Sequence, residues 1–121
     1  MKLIISGRLP GANEYIKACR TNHFAGAQMK KKLERDIKAF AKLQKCEPVH
    51  GKVWVNFWWY EPNRRRDPDN IFFAKKFVLD ALVKAKLIDG DSQKYIAGYE
   101  DHFAVDANNP RVEIDVKGVV G

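Results

Sequence analysis

One segment near the middle of the chain, residues 52–60, constrains the fold more than any other. Its side chains alternate between two sides of an extended chain, and both sides are apolar or aromatic. One side carries Val53, Val55, Phe57 and Trp59, and the other carries Trp54, Trp58 and Tyr60. A strand with two apolar faces lies either in the centre of a sheet or under a second subunit. The segment is therefore predicted to be either a central strand or a strand covered by a second subunit, and the second possibility makes a homodimer a hypothesis to carry forward.

The rest of the chain predicts a mixed arrangement of helices and strands. Residues 7–26 contain a proline, three glycines and two asparagines, and they are predicted to form a long irregular connection. Helical spacing of apolar residues predicts two main helices, and shorter apolar runs predict further strands. In chain order the predicted elements are a strand over 2–6, a helix over 27–43, the strand over 52–60, a helix over 67–86, and strands over 95–105 and 111–116.

This order predicts a mixed α/β (α+β) fold. We expect a small mixed sheet of about four strands with helices on one side of it. The 121 residues suit a single domain, and 45% hydrophobic residues are enough for one core. The sequence therefore predicts one domain over residues 1–121.

The charge of the chain favours a polyanionic partner. Lysine and arginine number 22 against 15 acidic residues, so the formal net charge is +7. Such a charge attracts nucleic acid at long range, which makes nucleic acid the leading class of partner. The alternative is a basic domain with no nucleic-acid partner.

Cysteine usage and hydropathy point to the cytoplasm. Cys19 and Cys46 lack the close spacing of a redox or zinc motif and are expected to be ordinary thiols. The first apolar run is interrupted by Gly7 and Arg8, so it is too short for a signal sequence or a membrane span. We expect a cytoplasmic protein with no membrane partner.

A basic stripe follows one face of the predicted helix over 27–43. It consists of Lys31, Arg35, Lys38, Lys42 and Lys45. A stripe of this kind fits the phosphate backbone of DNA. The alternative is a solvated helix face, since Glu34 and Asp36 dilute the positive field.

Three aspartates supply the chemistry of a candidate metal site. Asp67 and Asp69 flank Pro68 at the predicted start of a helix, and Asp91 lies in the Asp89–Ser92 turn. Mg²⁺ takes oxygen ligands, and two or three carboxylates with a substrate phosphate complete its shell. The structural alternative is that Asp67 caps the helix, Asp69 complements the helix dipole and Asp91 begins a turn.

Basic residues accompany these carboxylates. Arg64, Arg65 and Arg66 immediately precede Asp67 and are predicted to contact DNA; the alternative is that they balance the carboxylates in the absence of metal. Lys76 is predicted to share a face of this helix with Asp69, two turns further on, and to approach a phosphate bound there. An ion pair between Lys76 and Asp80 is the alternative use of this lysine. Together these residues predict a metal-dependent nuclease.

These motifs resemble the RusA-type Holliday junction resolvases, which are small endodeoxyribonucleases common in prophages. The matching text is Arg65-Arg66-Asp67-Pro68-Asp69-Asn70-Ile71, Leu79-Asp80-Ala81-Leu82 and Asp91-Ser92-Gln93, with weaker likeness over residues 9–15. The resemblance implies a homodimer that depends on Mg²⁺ or Mn²⁺ and makes paired symmetric nicks in a four-way junction during recombination and repair. It also implies that Asp67, Asp69 and Asp91 bind the metal and that Lys76 is the active-site lysine.

The chain departs from the family pattern in one interval. Some members place the lysine four residues after the second aspartate, whereas Lys76 lies seven residues after Asp69. Counting back from the Leu-Asp-Ala-Leu motif recovers Lys76, but if the extra residues form a bulge, Lys75 becomes a candidate. Two further alternatives stay open: a nuclease for flaps or forks, and a non-catalytic DNA-binding protein.

Overall fold

The structure is a computed structural model and describes residues 1–120. Its elements follow one another in the order β1 Lys2–Ser6, α1 Ala12–Thr21, α2 Ala25–Leu43, β2 Val53–Glu61, α3 Pro68–Ile71, a 3-10 turn Phe72–Ala74, α4 Lys75–Lys84, β3 Ile96–Val105 and β4 Arg111–Gly118. The fold is a single mixed α+β domain, as the sequence predicts.

Four strands form one sheet in the order β1-β4-β2-β3. Strand β2 pairs in parallel with β3 and antiparallel with β4, and β4 pairs antiparallel with β1. Strand β2 is therefore paired on both sides and lies inside the sheet, which is the first of the two predicted possibilities. Because β2 and β3 are parallel, the chain must cross over between them, and this crossover carries α3 and α4.

The helices cover one face of the sheet. The odd-numbered residues of β2 are buried, and Val53, Val55 and Phe57 are fully inaccessible to solvent. They share a core with Ile37 of α2 and Leu82 of α4. The even-numbered residues of β2 are half-buried or exposed, so the other face of the sheet is open.

The prediction of an irregular connection over residues 7–26 is wrong, because Ala12–Thr21 forms the helix α1. No residue of α1 is buried. Its apolar residues Ala12, Tyr15, Ile16 and Cys19 do follow helical spacing, so the signal was present but was outweighed by the proline, glycines and asparagines around it. The helix is held by Tyr15, whose ring lies 5.5 Å from that of Phe73 and 5.0 Å from that of Phe77. The sheet is therefore accompanied by three substantial helices, α1, α2 and α4.

The predicted helix over 67–86 is also divided. It consists of the short helix α3, a 3-10 turn over Phe72–Ala74 and the helix α4, which ends at Lys84. The turn has three residues, the same number by which the Asp69-to-Lys76 interval exceeds the family spacing. A 3-10 turn has three residues per turn and an α-helix has 3.6. The prediction that Asp69 and Lys76 share one face of a regular α-helix therefore does not hold.

Cys19 and Cys46 are free thiols, as expected. Within residues 1–120, the helices are all too short or too polar to cross a membrane.

Candidate active site

Two exposed aspartates mark the start of α3. Asp67 is the N-cap residue, with an extended backbone at ψ 153°, and Asp69 lies in the first turn. Pro68 fits the first position of the helix because its missing N–H needs no partner there. The Asp67 side chain makes no capping hydrogen bond, and within residues 1–120 neither carboxylate takes part in an ion pair. Both carboxylates are therefore available to an external cation, and the capping alternative for Asp67 is not what the structure shows.

Arg66 fastens this segment to the fold. Its guanidinium donates to both carboxylate oxygens of Glu61 at 2.7 and 2.8 Å, and to the carbonyl of Leu9 at 3.1 Å. The side chains of Arg66 and Glu61 are only 9% and 8% exposed. A buried bidentate pair of this kind holds the end of β2 against the loop before α1. Arg66 is thus engaged within the fold, and its contact with DNA stays a prediction, whereas Arg64 and Arg65 are exposed at the surface.

Asn70 connects α3 to α1. Its side-chain oxygen accepts a hydrogen bond from the backbone N–H of Asn13 at 3.0 Å. Gly11 makes this approach possible, since a Cβ there would lie 2.5 Å from the same oxygen and 2.8 Å from Nη1 of Arg66. The loop before α1 thus supports the back of the Asp67–Asp69 segment.

Lys76 lies among carboxylates on the exposed side of α4. Its Nζ is 2.8 Å from Asp80 and 3.2 Å from Asp91, and Lys30 of α2 reaches Asp80 at 3.2 Å. The hydrogen bonds to Asp80 and Asp91 raise the pKa of Lys76. Burial opposes ionisation of Asp80, but the hydrogen bonds from Lys76 and Lys30 outweigh it and hold the pKa of that carboxyl below its usual value. The predicted pair of Lys76 with Asp80 is present, and the same lysine contacts Asp91.

Lys75 points into the protein instead. Its Nζ lies 2.6 Å from Asp101 of β3, and both side chains are 16% exposed. Asp101 also accepts a hydrogen bond from the indole N–H of Trp59 at 2.8 Å. The ammonium is 4.8 Å from the ring centroids of both Phe72 and Tyr99, within range of cation–π attraction. Of the two adjacent lysines, only Lys76 contacts a predicted metal-binding aspartate.

Tyr99 lies between these two lysines. Burial raises the pKa of its hydroxyl, the negative charge of Asp91 raises it further, and the positive charge of Lys76 lowers it. The ring is 39% exposed, so it also forms part of the surface beside Asp91.

The loop that carries Asp91 is fixed by its neighbour Asp89. The Asp89 carboxylate accepts the backbone N–H of Gly51 at 2.7 Å and lies 2.8 Å from Nδ1 of His50. The Gly51 N–H and His50 together lower the pKa of Asp89. A carboxylate with two partners on a neighbouring segment orders the turn before Asp91.

The structure brings only some of the predicted site together. Asp91 and Lys76 are in contact, whereas Asp67 and Asp69, at the start of α3, form no ion pair within residues 1–120. Across residues 1–120, no three histidine, cysteine, aspartate or glutamate side chains gather closely enough to hold a metal ion. The donor chemistry nevertheless fits a hard cation, because all three aspartates offer oxygen and two are unengaged.

Sequence reasoning missed the anchors Asp101 and Glu61. Asp101 lies on the helix-facing side of β3, where its neighbours in the alternation are Tyr99 and Phe103. A carboxylate among aromatic residues on one side of a strand is the signal that would have identified it.

The basic residues predicted from the stripe on α2 are all exposed along that helix; they are Lys31, Arg35 and Lys38.

Two comparisons with known proteins bear on this site. A family model described as "Endodeoxyribonuclease RusA" matches residues 8–117, nearly the whole chain. No curated protein matches it.

Proposed function

This chain belongs to the RusA endodeoxyribonuclease family, and on that basis we propose that it resolves Holliday junctions by paired symmetric nicks. The observation that carries the proposal is the pair of unengaged carboxylates, Asp67 and Asp69, on the same crossover as the Lys76–Asp91 contact. The two carboxylates offer oxygen ligands for a cation, and the Lys76 ammonium offers a positive charge for a phosphate. DNA recombination and repair are the processes in which this activity would serve.

The proposal includes dependence on Mg²⁺, or Mn²⁺. Asp67 and Asp69 would hold the metal, and Asp91 would join them as the third carboxylate. A bound divalent cation would supply an activated water and neutralise charge on the scissile phosphate. The start of α3 is exposed, so a phosphate has access to both carboxylates.

The side chains around the carboxylates have roles that do not require the metal. Lys76 stays charged at neutral pH, since its carboxylate partners raise its pKa, and it would stabilise negative charge that develops on the phosphate. Arg64 and Arg65 would contact the flanking backbone through charge-assisted hydrogen bonds. Such contacts position DNA but do not read its sequence.

A homodimer completes the proposal. A four-way junction offers equivalent strands at opposed positions, and a two-fold dimer would present one site to each. The open face of the sheet, with Trp54, Trp58 and Tyr60, is the surface we propose for the interface.

The experiment is a cleavage assay on a labelled four-way junction, beside a flap and a linear duplex, with Mg²⁺ and with EDTA. Paired nicks confined to the junction and lost in EDTA are the expected result. Preferential cutting of the flap would support the nuclease activity but show that flaps, and not four-way junctions, are the substrate. Binding without cleavage in Mg²⁺ or Mn²⁺ would support a non-catalytic DNA-binding protein instead.

Asp69→Asn tests the role of the carboxylates. We expect cleavage to fall by at least about 100-fold, because a charged ligand at the reacting phosphate is lost. DNA binding should be retained or strengthened, since a negative charge beside phosphate is removed. Glu47→Gln, which removes one exposed carboxylate in the loop after α2, is the matched control and should cleave normally. Normal cleavage by Asp69→Asn would overturn the metal-site proposal.

A further inference from the structure

A basic groove runs between α2 and α4, next to the candidate site. Its volume is about 700 Å³, larger than that of the other cavities described on residues 1–120. Five cationic side chains and one carboxylate, Glu34, line it; the cations are Lys31, Lys32, Arg35, Lys38 and Lys84. Lys84 belongs to α4, so the groove is a feature of the packed helix pair and not of the α2 stripe alone.

Three of these cations have no acidic partner. Glu34 is paired with Lys84 at 2.9 Å, and Lys32 is paired with Asp36 at 2.7 Å. Lys31, Arg35 and Lys38 form no ion pair with any group in residues 1–120. Spaced by four and three residues, they lie on one face of α2. The pairing of Glu34 removes the main source of repulsion for an anion in the groove.

The far wall of the groove permits close approach. It is formed by Ala81 of α4 and Ala85, the residue directly after the end of α4, and both carry small side chains. The lining contains no aromatic residue and only one amide side chain, Gln28. A groove of this composition offers charge to phosphates but almost nothing that distinguishes one base edge from another.

The groove is linked to the candidate site through Asp80. This carboxylate contacts Lys76, which contacts Asp91, on one side, and Lys30 on the other. Lys30 immediately precedes Lys31, the first free cation of the groove. From Lys31 to Lys38 the helix rises about 10 Å, which corresponds to about three base-pair steps measured along the axis of a duplex.

We propose that this groove holds the sugar–phosphate backbone of a duplex DNA arm beside the site of cleavage, independently of sequence. The inference rests on the proposed function, since it names the part of the DNA that the same protein would grip. The side chains that would contact the phosphates are the free cations Lys31, Arg35 and Lys38.

The test is DNA binding in EDTA, so that cleavage plays no part in it. Lys31, Arg35 and Lys38 are changed together to glutamine, and the dissociation constant for a four-way junction is measured across a series of salt concentrations. Each lost phosphate contact lowers the slope of log affinity against log salt by about one. We expect the triple variant to lose about three units of slope and to bind more weakly at low salt.

The matched control changes Lys17, Lys52 and Lys86 to glutamine. These exposed lysines lie outside the groove, and the change lowers the formal charge by the same three units. We expect the control to keep nearly the full slope. Equal slopes for the two triple variants would overturn the proposal, because net charge alone would then explain the binding. Thermal unfolding of both variants shows that each is folded, since all six positions are on the surface.

Hydroxyl-radical footprinting on the same junction provides a second readout. We expect protection of about three successive nucleotides on one strand of an arm, lost in the groove variant and kept in the control. Binding with this footprint but without cleavage in Mg²⁺ would support the proposed role of the groove and contradict the proposed nuclease activity. Cleavage by the wild-type protein, with an unchanged footprint in the groove variant, would overturn the groove alone.

Discussion

At the scale of single residues, the adjacent lysines Lys75 and Lys76 have opposite environments. Lys75 is 16% exposed and paired with Asp101, whereas Lys76 is 68% exposed. Lys75→Met would keep most of the packing but leave the largely buried Asp101 carboxylate with only the Trp59 N–H as partner. Since breaking a buried pair from one side is costly, we expect the free energy of unfolding to fall by about 3 kcal/mol in urea denaturation. Lys76→Met is the matched control and should cost less than about 1 kcal/mol, because exposed ion pairs contribute little. Equal losses for the two variants would contradict the importance of the buried pair.

At the scale of secondary-structure elements, the candidate site depends on how α1 lies against α3. Gly11 allows this contact, since a Cβ there would meet the Asn70 oxygen at 2.5 Å. Gly11→Ala should therefore force the two segments apart, and overpacking of this kind costs about 1–3 kcal/mol. We expect lower stability together with weaker cleavage, because Asn70 directly follows Asp69. Gly118→Ala, whose Cβ would meet only a Val49 methyl at 3.8 Å, is the control and should behave as wild type. Wild-type stability and cleavage in Gly11→Ala would show that the contact yields without effect.

The same scale shows what the sequence could and could not predict. Alternation in β2 and helical spacing in α2 were enough to identify those elements, since each buries a continuous set of side chains. The helix α1 was missed although Ala12, Tyr15, Ile16 and Cys19 have helical spacing, because the proline, glycines and asparagines around it favour a loop. Its contacts through Tyr15 with a distant segment required the tertiary structure. Within the site, the Lys76–Asp80 pair follows from a spacing of four residues. The Lys75–Asp101 pair joins residues 26 apart, so it required the tertiary structure.

At the scale of the whole molecule, the open face of the sheet is the surface where we expect a second copy to bind. Trp54 is 38% exposed and Ile4 is 45% exposed on this face, and the ring of Trp58 stacks on that of His102 at 5.2 Å. Trp58→Glu would place a charge in the centre of a dimer interface and should give a monomer in analytical ultracentrifugation. Leu43→Glu changes an apolar residue that is 79% exposed at the end of α2, and it should leave the oligomeric state unchanged. A Trp58→Glu protein that remains dimeric would exclude this face as the interface.

The position of β3 at the border of the sheet also affects how the protein behaves at high concentration. Its ten residues pair with β2 alone, so within the described chain one row of its backbone N–H and C=O groups faces outward. Tyr99, Phe103 and Val105 are partly exposed on the same strand, and an edge of this kind is a template for adding a foreign strand. Glu100 is the exposed charge that opposes such growth. Because this edge beside the candidate site is unpaired, we expect the protein to self-associate at high concentration by adding a strand to β3. Neutralising Glu100 should increase this self-association.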